Sequence, residues 1–201
     1  MSYIEQFLQD SKKIIDQLDR KAIDRMVALV KQVREDEGRI FFLGVGGGAG
    51  HASHAVNDFR KICGIESYTP ADNVSELTAR TNDEGWDTTF AEWLKGSRLS
   101  AKDAVFVFSV GGGSKEKNIS ANIVRALEYA RQVGAKILGV VGRDGGYTAK
   151  VAQACVIIPP INKDTITPQT ESFQAFIWHL IVAHPELMAM PNKWESVTAV
   201  K

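Results

Sequence analysis

The sequence has 201 residues, with 24 basic and 24 acidic side chains, and 44% of it is hydrophobic. That length allows one domain with a substantial core, and the balanced charge gives no bulk field favouring nucleic acid or an anionic membrane. The sequence contains no run of about 18 apolar residues, the length that a helix needs to span a bilayer. Its first residues are acidic and amphipathic, which is unlike a secretory signal. Cys63 and Cys155 fit no metal-binding spacing, so we expect two buried, reduced thiols and a cytoplasmic protein without nucleic-acid or membrane partners.

The chain opens with apolar residues at helical spacing, which predict two amphipathic helices that stop before Gly38. Because residues 1–37 show no pattern of catalytic or ligand-binding side chains, we expect this helical pair to serve packing or oligomer contacts. Residues 38–184 are expected to form an α/β core within the same single domain. Residues 185–201 are predicted to be an irregular tail, which includes Trp194.

The next segment, Arg39–Arg60, organises the rest of the chain. Its apolar run Ile40–Leu43 predicts a strand, which breaks into a glycine-rich turn from Gly44 to Gly50 and continues with helical spacing. Glycine lets a ligand approach the backbone, and the first N–H groups of a helix are unpaired, so this turn is a candidate anion site. The glycines predicted to line it are Gly46, Gly47 and Gly48. There are two alternatives to an anion site. The glycines could serve only a tight turn without a ligand, or the turn could be a dinucleotide site of the G-x-G-x-x-A form.

Two histidines and an aspartate follow the turn. On a helix, His51, His54 and Asp58 lie at i, i+3 and i+7, within about 60° of one another. Imidazole and carboxylate suit zinc or another divalent ion, and they also suit acid–base catalysis. His51 alone is better explained as a packed polar residue, whereas His54 and Asp58 are predicted to face a cleft.

Beyond this point strands alternate with helices, which predicts a parallel α/β sheet in three layers. The expected strands are Gly64–Pro70, Ala104–Phe108, Lys136–Val141 and Cys155–Ile158, and the expected helices are Asp72–Arg80, Glu92–Leu94, Lys115–Gln132 and Thr170–Ala183, with a polar loop starting at Thr81. Three strands end in glycine or serine, at Gly44, Ser109 and Gly142, and these ends should meet at one edge of the sheet.

The loop from Ser109 to Ser114 reads SVGGGS. It offers two hydroxyls and several backbone N–H groups in a small nest, with Lys115 nearby, but it lacks the G-K-[ST] ending of a P-loop. Such a nest suits a phosphate monoester better than a triphosphate, and a plain turn of small residues is the alternative.

On the predicted last helix, Glu171, Gln174 and Trp178 share one face. His179 points about 140° away from Gln174 and is expected to be a packing or interface residue. His184, just before a proline that ends the helix, stays a candidate acid or ligand.

Six motifs occur in the order typical of SIS-domain phosphosugar proteins, and among these the chain most resembles the phosphoheptose isomerases over nearly its whole length. The motifs are Gly44-Val-Gly-Gly-Gly, His54 with Asp58, Asn82-Asp83, Ser109-Val-Gly-Gly-Gly-Ser114, Gly142-Arg-Asp-Gly-Gly and Thr170 with Gln174. The resemblance implies a SIS-type, flavodoxin-like fold and a homotetramer with active sites between subunits. It also implies conversion of sedoheptulose 7-phosphate to a heptose phosphate, often with zinc and without a nucleotide cofactor.

The resemblance also implies a role for each matching position. The phosphate would be held by Ser109 and Ser114, with help from Gly111, Gly112 and Gly113. The sugar would be contacted by Asn82, Asp83 and Thr170. Metal or catalytic positions would fall to His54, Asp58 and Gln174.

The chain departs from this family at several functional positions. Val45 and Gly48 replace polar residues of the glycine turn, Gly111 replaces a serine of the phosphate loop, and Asp58 replaces a glutamate. The histidine expected eight residues after the glutamine is Val182.

Aldose–ketose isomerisation needs a base that moves a proton between adjacent carbons and a group that polarises the carbonyl. The leading hypothesis makes Asp58 the base, His54 and Gln174 the metal-binding or polarising groups, and His184 the acid. The rivals are a non-catalytic SIS module that binds a sugar phosphate or a protein partner, and an NAD-dependent enzyme.

Overall fold

The structure is a computed structural model that describes residues 1–191 of the chain. A five-stranded parallel sheet forms its centre, in the order β2-β1-β3-β4-β5. The strands are β1 (Ile40–Gly44), β2 (Ser67–Tyr68), β3 (Ala104–Ser109), β4 (Lys136–Val141) and β5 (Ala154–Ile157). The central strands are almost continuously apolar, as a sheet covered on both faces requires, and the predicted α/β class is confirmed.

Helices cover both faces of this sheet. They are α1 (Tyr3–Gln17), α2 (Arg20–Glu35), α3 (Gly47–Lys61), α4 (Val74–Glu84), α5 (Thr89–Gly96), α6 (Ala121–Val133), α7 (Gly146–Val151) and α8 (Ile166–Val182). Helices α2, α3 and α8 pack on one face around Phe42, Phe59 and Trp178. Helices α5 and α6 pack on the other face around Leu94 and Leu127. The sheet therefore separates two apolar cores.

Several element boundaries differ from the prediction. Helix α6 begins at Ala121 rather than Lys115, because Asn118 and Ser120 adopt positive φ and Ser114 pairs with Ile119 in an antiparallel bridge. Helix α8 begins four residues earlier than predicted, and α7 was not predicted. The expected position of Trp194 lies outside the described residues.

The predicted polar loop at Thr81 is wrong, because α4 continues to Glu84 and carries Asn82 and Asp83 on its last turn. Helix α4 is also unusual in its packing. Within residues 1–191 it buries none of its own residues, and it ends at Gly85, whose φ is +88°. The helix therefore contacts the core only through half-buried side chains such as Leu77, which packs against the core that contains Leu94.

Both cysteines are free thiols, as predicted, but only Cys63 is buried; Cys155, which was also expected to be buried, is half-buried. Burial raises the pKa of Cys63 to about 11 and that of Cys155 to about 12, so both thiols stay protonated near neutral pH. None of the helices within residues 1–191 has the length and apolar character needed to cross a bilayer.

A buried ion pair ties the starts of β1 and β3 together at the edge opposite the glycine turn. Asp103 is 2% exposed, and its Oδ2 accepts from Arg39 Nη2 at 2.9 Å and from the Ser100 backbone at 2.8 Å. Its Oδ1 accepts from the Arg39 backbone N–H at 2.9 Å. Burial alone would raise the pKa of Asp103, but the donors from Arg39 and Ser100 outweigh it and hold the pKa below its usual value.

Replacing Asp103 should destabilise the fold in a pH-dependent way. We expect Asp103→Asn to lower the free energy of unfolding by about 3 kcal/mol at pH 7, because the Arg39 guanidinium loses its anion. Since the pKa of Asp103 is lower in the folded state, the stabilisation is present above the unfolded pKa of about 4 and disappears as the pH falls through the folded value. Urea unfolding of both proteins from pH 7 to pH 3 would test this. A difference that persists unchanged at pH 3 would contradict it.

Candidate active site

The glycine turn lies at the point where the sheet order reverses. From β1 the chain passes to β2 on one side, and β3 follows on the other side, which leaves a crevice at the carboxyl ends of β1 and β3. Helix α3 starts in this crevice. A Cβ at Gly48 would overlap the Phe108 carbonyl, and one at Gly44 would overlap Gly48, so both positions need glycine for close packing. The predicted meeting of the three strand ends is confirmed, since Gly44 pairs with Phe108 and Ser109 with Val141.

Gly46 and Gly47 of the turn have different surroundings. Gly46 has a φ of +59°, and no atom of the described residues would lie within 4 Å of a Cβ there. At Gly47 the Glu171 carboxylate fills the space that a side chain would take. Gly46 is therefore an open position of the turn, as is Gly50, and the predicted role of Gly46 in substrate binding stays a prediction.

Two imidazoles converge on the carboxylate of Asp58, which is 7% exposed. The Nε2 atom of His54 lies 3.6 Å from Asp58 Oδ2, and that of His179 lies 3.4 Å from the same oxygen. The two imidazole centroids are 5.4 Å apart at an interplanar angle of 80°. About half of each histidine side chain is exposed, so the cluster of His54, Asp58 and His179 opens to the surface while the carboxylate stays inside.

Trp178 holds this carboxylate in place. Its indole Nε1–H donates to Asp58 Oδ2 at 3.1 Å, and Asn57 Nδ2 donates to Oδ1 at 3.0 Å. The indole ring also packs against Phe108 and His51, with centroid distances of 5.5 Å and 5.1 Å. A buried carboxylate needs such donors, and here they come from α3 and α8.

The cluster has the donors of a transition-metal site. One ligand atom from each of His54, Asp58 and His179 lies within 4.8 Å of the other two. Ligands of a tetrahedral zinc ion at about 2.1 Å would be about 3.4 Å from one another, close to the two His–Asp distances. These three residues therefore fit a divalent ion.

The structure corrects the expectations for the histidines on and after α8. His179, expected to be a packing or interface residue, lies beside Asp58, because α3 crosses α8 on the side between Trp178 and His179 rather than over Gln174. His184 is not in the cluster; it lies in the turn after α8, where its Nδ1 accepts from the Glu186 N–H at 3.3 Å. Within residues 1–191 the structure therefore does not bring His184 to Asp58, and its acid role stays a prediction. The side chain of Val182 is buried in the core.

Gln174 lies one turn before Trp178 and is completely buried. Its Nε2 donates to the Val140 carbonyl at 3.2 Å, whereas its Oε1 has no hydrogen-bond donor among residues 1–191. The amide is thus fixed on β4, and its role as a metal ligand stays a prediction.

His51 packs as expected from its position near the turn. Its ring contacts Trp178 and lies 6.3 Å from the Phe108 ring. Burial lowers its pKa below the usual value, so the ring is neutral at pH 7.

The phosphate loop predicted from Ser109 to Ser114 follows β3 directly. Ser109 Oγ accepts from the Gly112 N–H at 3.1 Å, and Ser114 Oγ donates to Glu116 and accepts from the Lys117 N–H. Thr148 donates from its backbone and hydroxyl to the Gly112 carbonyl, at 2.9 Å and 2.8 Å. Gly112 and Gly113 have φ values of +67° and +78°, which only glycine adopts readily. The loop is therefore rigid, with its carbonyl groups turned towards α7.

Two further predicted contacts lie in different surroundings. Asn82 and Asp83 are exposed on α4, with Asn82 Nδ2 donating to Asp83 Oδ1 at 2.7 Å. Thr170 is buried against Gly142, where a Cβ would overlap its hydroxyl. The phosphate loop and the cluster are linked through the core, since Phe108 precedes Ser109 and its ring contacts Trp178.

Comparison with known proteins agrees with this architecture. A family model described as SIS domain matches residues 2–142. The lincomycin biosynthesis protein LmbN of Streptomyces lincolnensis is 30% identical over 191 residues, which cover 92% of this chain and 69% of that protein. The phosphoheptose isomerase of Rhodospirillum rubrum is 29% identical over 149 residues, which cover 72% of this chain and 73% of that protein.

Solved structures show the same fold. The phosphoheptose isomerase GmhA from Neisseria gonorrhoeae has a TM-score of 0.77 at 20% identity, over 89% of this chain and 95% of that chain. A phosphoheptose isomerase from Francisella tularensis has a TM-score of 0.75 at 19% identity, over 90% of this chain and 92% of that chain.

The hydrogen bond from Trp178 to Asp58 can be tested without any assay of activity. Trp178→Phe keeps an aromatic ring against Phe108 but removes the only side-chain donor that α8 gives to Asp58 within the described residues. We expect a loss of about 1–3 kcal/mol in the free energy of unfolding, measured by urea denaturation. Trp93→Phe is the matched control, because Trp93 is also buried against an aromatic ring but its side chain makes no hydrogen bond within residues 1–191. Equal losses in both variants would contradict a role for the indole N–H.

Proposed function

The chain belongs to the SIS-domain family, and we propose that it is an aldose–ketose isomerase acting on a sugar phosphate. The substrate that we propose is sedoheptulose 7-phosphate, converted to a heptose 7-phosphate, in keeping with the relatives named phosphoheptose isomerase. The observation that carries the proposal is the buried carboxylate of Asp58 flanked by two half-exposed imidazoles.

The chemistry requires one proton to move between C1 and C2 of the sugar. Asp58 would take a proton from C1 of the ketose while an imidazole donates a proton to O2, which gives an enediol. Loss of the O1 proton and return of a proton to C2 then place the carbonyl on C1. His54 and His179 are suited to these transfers, because both imidazoles lie within 3.6 Å of the Asp58 carboxylate.

The second histidine supports an isomerase despite the departure at Val182. An imidazole is missing from the family's position, but His179, three residues earlier on the same helix, brings one to the same carboxylate. We therefore assign to His179 the acid role first expected of His184.

The substrate phosphate would bind at the Ser109–Ser114 loop. In a heptose 7-phosphate the phosphate and the reacting carbons are at opposite ends of the sugar, so the phosphate loop and the cluster need to lie apart. Asn82, Asp83 and Thr170, together with Gly46, Gly47 and Gly48, are the proposed contacts to the sugar between them.

We also propose an alternative state of the same cluster, in which zinc or another divalent ion binds to His54, Asp58 and His179 and takes over the polarising role from the imidazoles. The donor set of two imidazoles and one carboxylate supports this, and the unpaired Oε1 of Gln174 is a candidate further ligand. When bound, such an ion would polarise a carbonyl oxygen of the substrate.

The proposed assembly is a homotetramer with sites between subunits, in the cytoplasm. Apolar side chains on the outer faces of α1 and α8 support self-association, because they leave a broad apolar surface uncovered. These side chains are between 36% and 71% exposed and comprise Tyr3, Ile4, Leu8, Phe176 and Leu180. A non-catalytic, sugar-phosphate-binding SIS module remains the second candidate, favoured by the loss of the histidine at Val182.

Replacing the proposed base separates these two candidates. Asp58→Asn should lower kcat for sedoheptulose 7-phosphate by about 10²–10⁴-fold, because the amide cannot accept the C1 proton. Interconversion is followed by NMR of the sugar. Asp24→Asn, an exposed carboxylate on α2, should keep full activity. No turnover by the unmodified protein, with or without zinc, would favour the binding module, and full activity of Asp58→Asn would remove Asp58 as the base.

Metal binding can be tested independently by titrating zinc into the full chain and measuring heat and tryptophan fluorescence. His54→Ala and His179→Ala should each weaken zinc binding by at least about 10-fold, since loss of even an outer partner costs that much. His184→Ala is the matched control and should bind zinc as tightly as the unmodified protein. Equal affinities in all four proteins would contradict the proposed ligands.

A further inference from the structure

We infer that the Arg143 guanidinium binds the substrate phosphate, in the space that a side chain at position 111 would otherwise occupy. The inference rests on the proposed function for its ligand, a sugar phosphate, and adds a charged residue to the phosphate loop. It would make the loop bind a dianionic phosphate through a guanidinium as well as through hydroxyls.

The first support is the position of Arg143 relative to Gly111. Arg143 Nη1 lies 3.9 Å from the point where a Cβ would stand at Gly111, and apart from residues 110–112 no other described atom is that close to this point. A serine at position 111 would therefore place its hydroxyl next to the guanidinium. Glycine leaves that space free for an anion in contact with both the loop backbone and the Arg143 side chain.

The second support is that the guanidinium has no partner. Arg143 is exposed and makes no hydrogen bond or ion pair with any side chain or carbonyl in residues 1–191. Two neighbouring lysines are engaged, since Lys115 Nζ lies 2.6 Å from Glu128 and Lys150 Nζ lies 3.6 Å from Glu116. Lys117, which also lines the groove, makes no ion pair with the described residues. The nearby Asp144 carboxylate accepts from the Gly146 N–H at 3.2 Å. Arg143 is thus available to an external anion.

The third support is the rigidity of its backbone. Arg143 has a φ of +53°, a conformation that costs energy for a residue other than glycine. Its segment is bound to the phosphate loop by hydrogen bonds from Gly142 N–H to the Val110 carbonyl at 3.1 Å and from Tyr147 N–H to the Gly113 carbonyl at 2.8 Å. The two loops therefore form one unit, and the backbone of Arg143 is held at a fixed distance from the phosphate loop.

The fourth support is the shape of the surface. A groove of about 720 Å³ lies between these loops and is lined by Gly111, Gly113, Ser114, Arg143 and Tyr147 among others. Within residues 1–191 no acceptor takes the N–H groups of Gly111 and Gly113. Two free N–H groups and a guanidinium match the oxygens of a phosphate monoester, and arginine binds phosphate through paired N–H donors.

The test is the binding of inorganic phosphate to the full chain, measured by calorimetry, together with KM and kcat for sedoheptulose 7-phosphate. Arg143→Asn removes the guanidinium and suits the positive φ, since asparagine tolerates that conformation. We expect it to weaken phosphate binding and raise KM by about 10- to 100-fold, as loss of a charge-assisted contact does, with kcat much less affected. Arg143→Lys should give an intermediate affinity for phosphate, because lysine keeps the positive charge but lacks the paired N–H donors of the guanidinium.

Arg98→Asn is the matched control. Arg98 is also exposed, has the same φ of +53°, and lies before β3 at the opposite edge of the sheet. It should bind phosphate like the unmodified protein, and thermal unfolding of each variant shows whether it is folded. Equal phosphate affinity in Arg143→Asn and the unmodified protein, or no phosphate binding by the unmodified protein, would overturn the inference.

The two readouts separate this inference from the proposed function. Phosphate binding that depends on Arg143, without any interconversion of sugar phosphates, would leave the inference standing and reject the isomerase. Turnover with a KM that Arg143→Asn leaves unchanged would support the isomerase and reject the inference.

Discussion

A carboxylate that is almost completely buried has to find hydrogen-bond donors, and this requirement at Asp58 determines how α3 meets α8. The donors are the indole of Trp178 and the amide of Asn57, and the imidazoles of His54 and His179 stand at the open side. The same indole packs on Phe108, the residue before the phosphate loop. One polar contact thus joins the helix after the glycine turn, the last helix and the end of β3.

The sequence was sufficient to predict the parallel sheet, because its strands are continuous apolar runs that end in glycine or serine. It was also sufficient to pair His54 with Asp58, since residues four apart on one helix are neighbours. Contacts between helices were harder to predict. The position of His179 around the helix axis, about 140° from Gln174, predicts that it points away from a site built on Gln174. Tertiary packing decides which side of α8 faces α3, and it places the side of Trp178 and His179 against Asp58.

Local backbone conformation explains the other differences. The apolar spacing after Lys115 is that of a helix, yet Asn118 and Ser120 adopt positive φ and delay α6 to Ala121. In the opposite sense, the polar residues after Thr81 look like a loop but continue α4. In both segments the pattern of side chains was a weak guide, because few of these residues are buried and packing does not select their conformation.

Helix α4 carries Asn82 and Asp83 yet buries none of its residues within the described chain, and it ends at a glycine in a conformation that few other residues adopt. Free energy of local opening is lowest where few apolar contacts would be broken, so α4 should exchange its amide protons faster than α3 or α8. Mutations there cost the rest of the molecule little stability. The surface that we propose contacts the sugar can therefore diversify during evolution while the sheet, the phosphate loop and the Asp58 cluster stay unchanged.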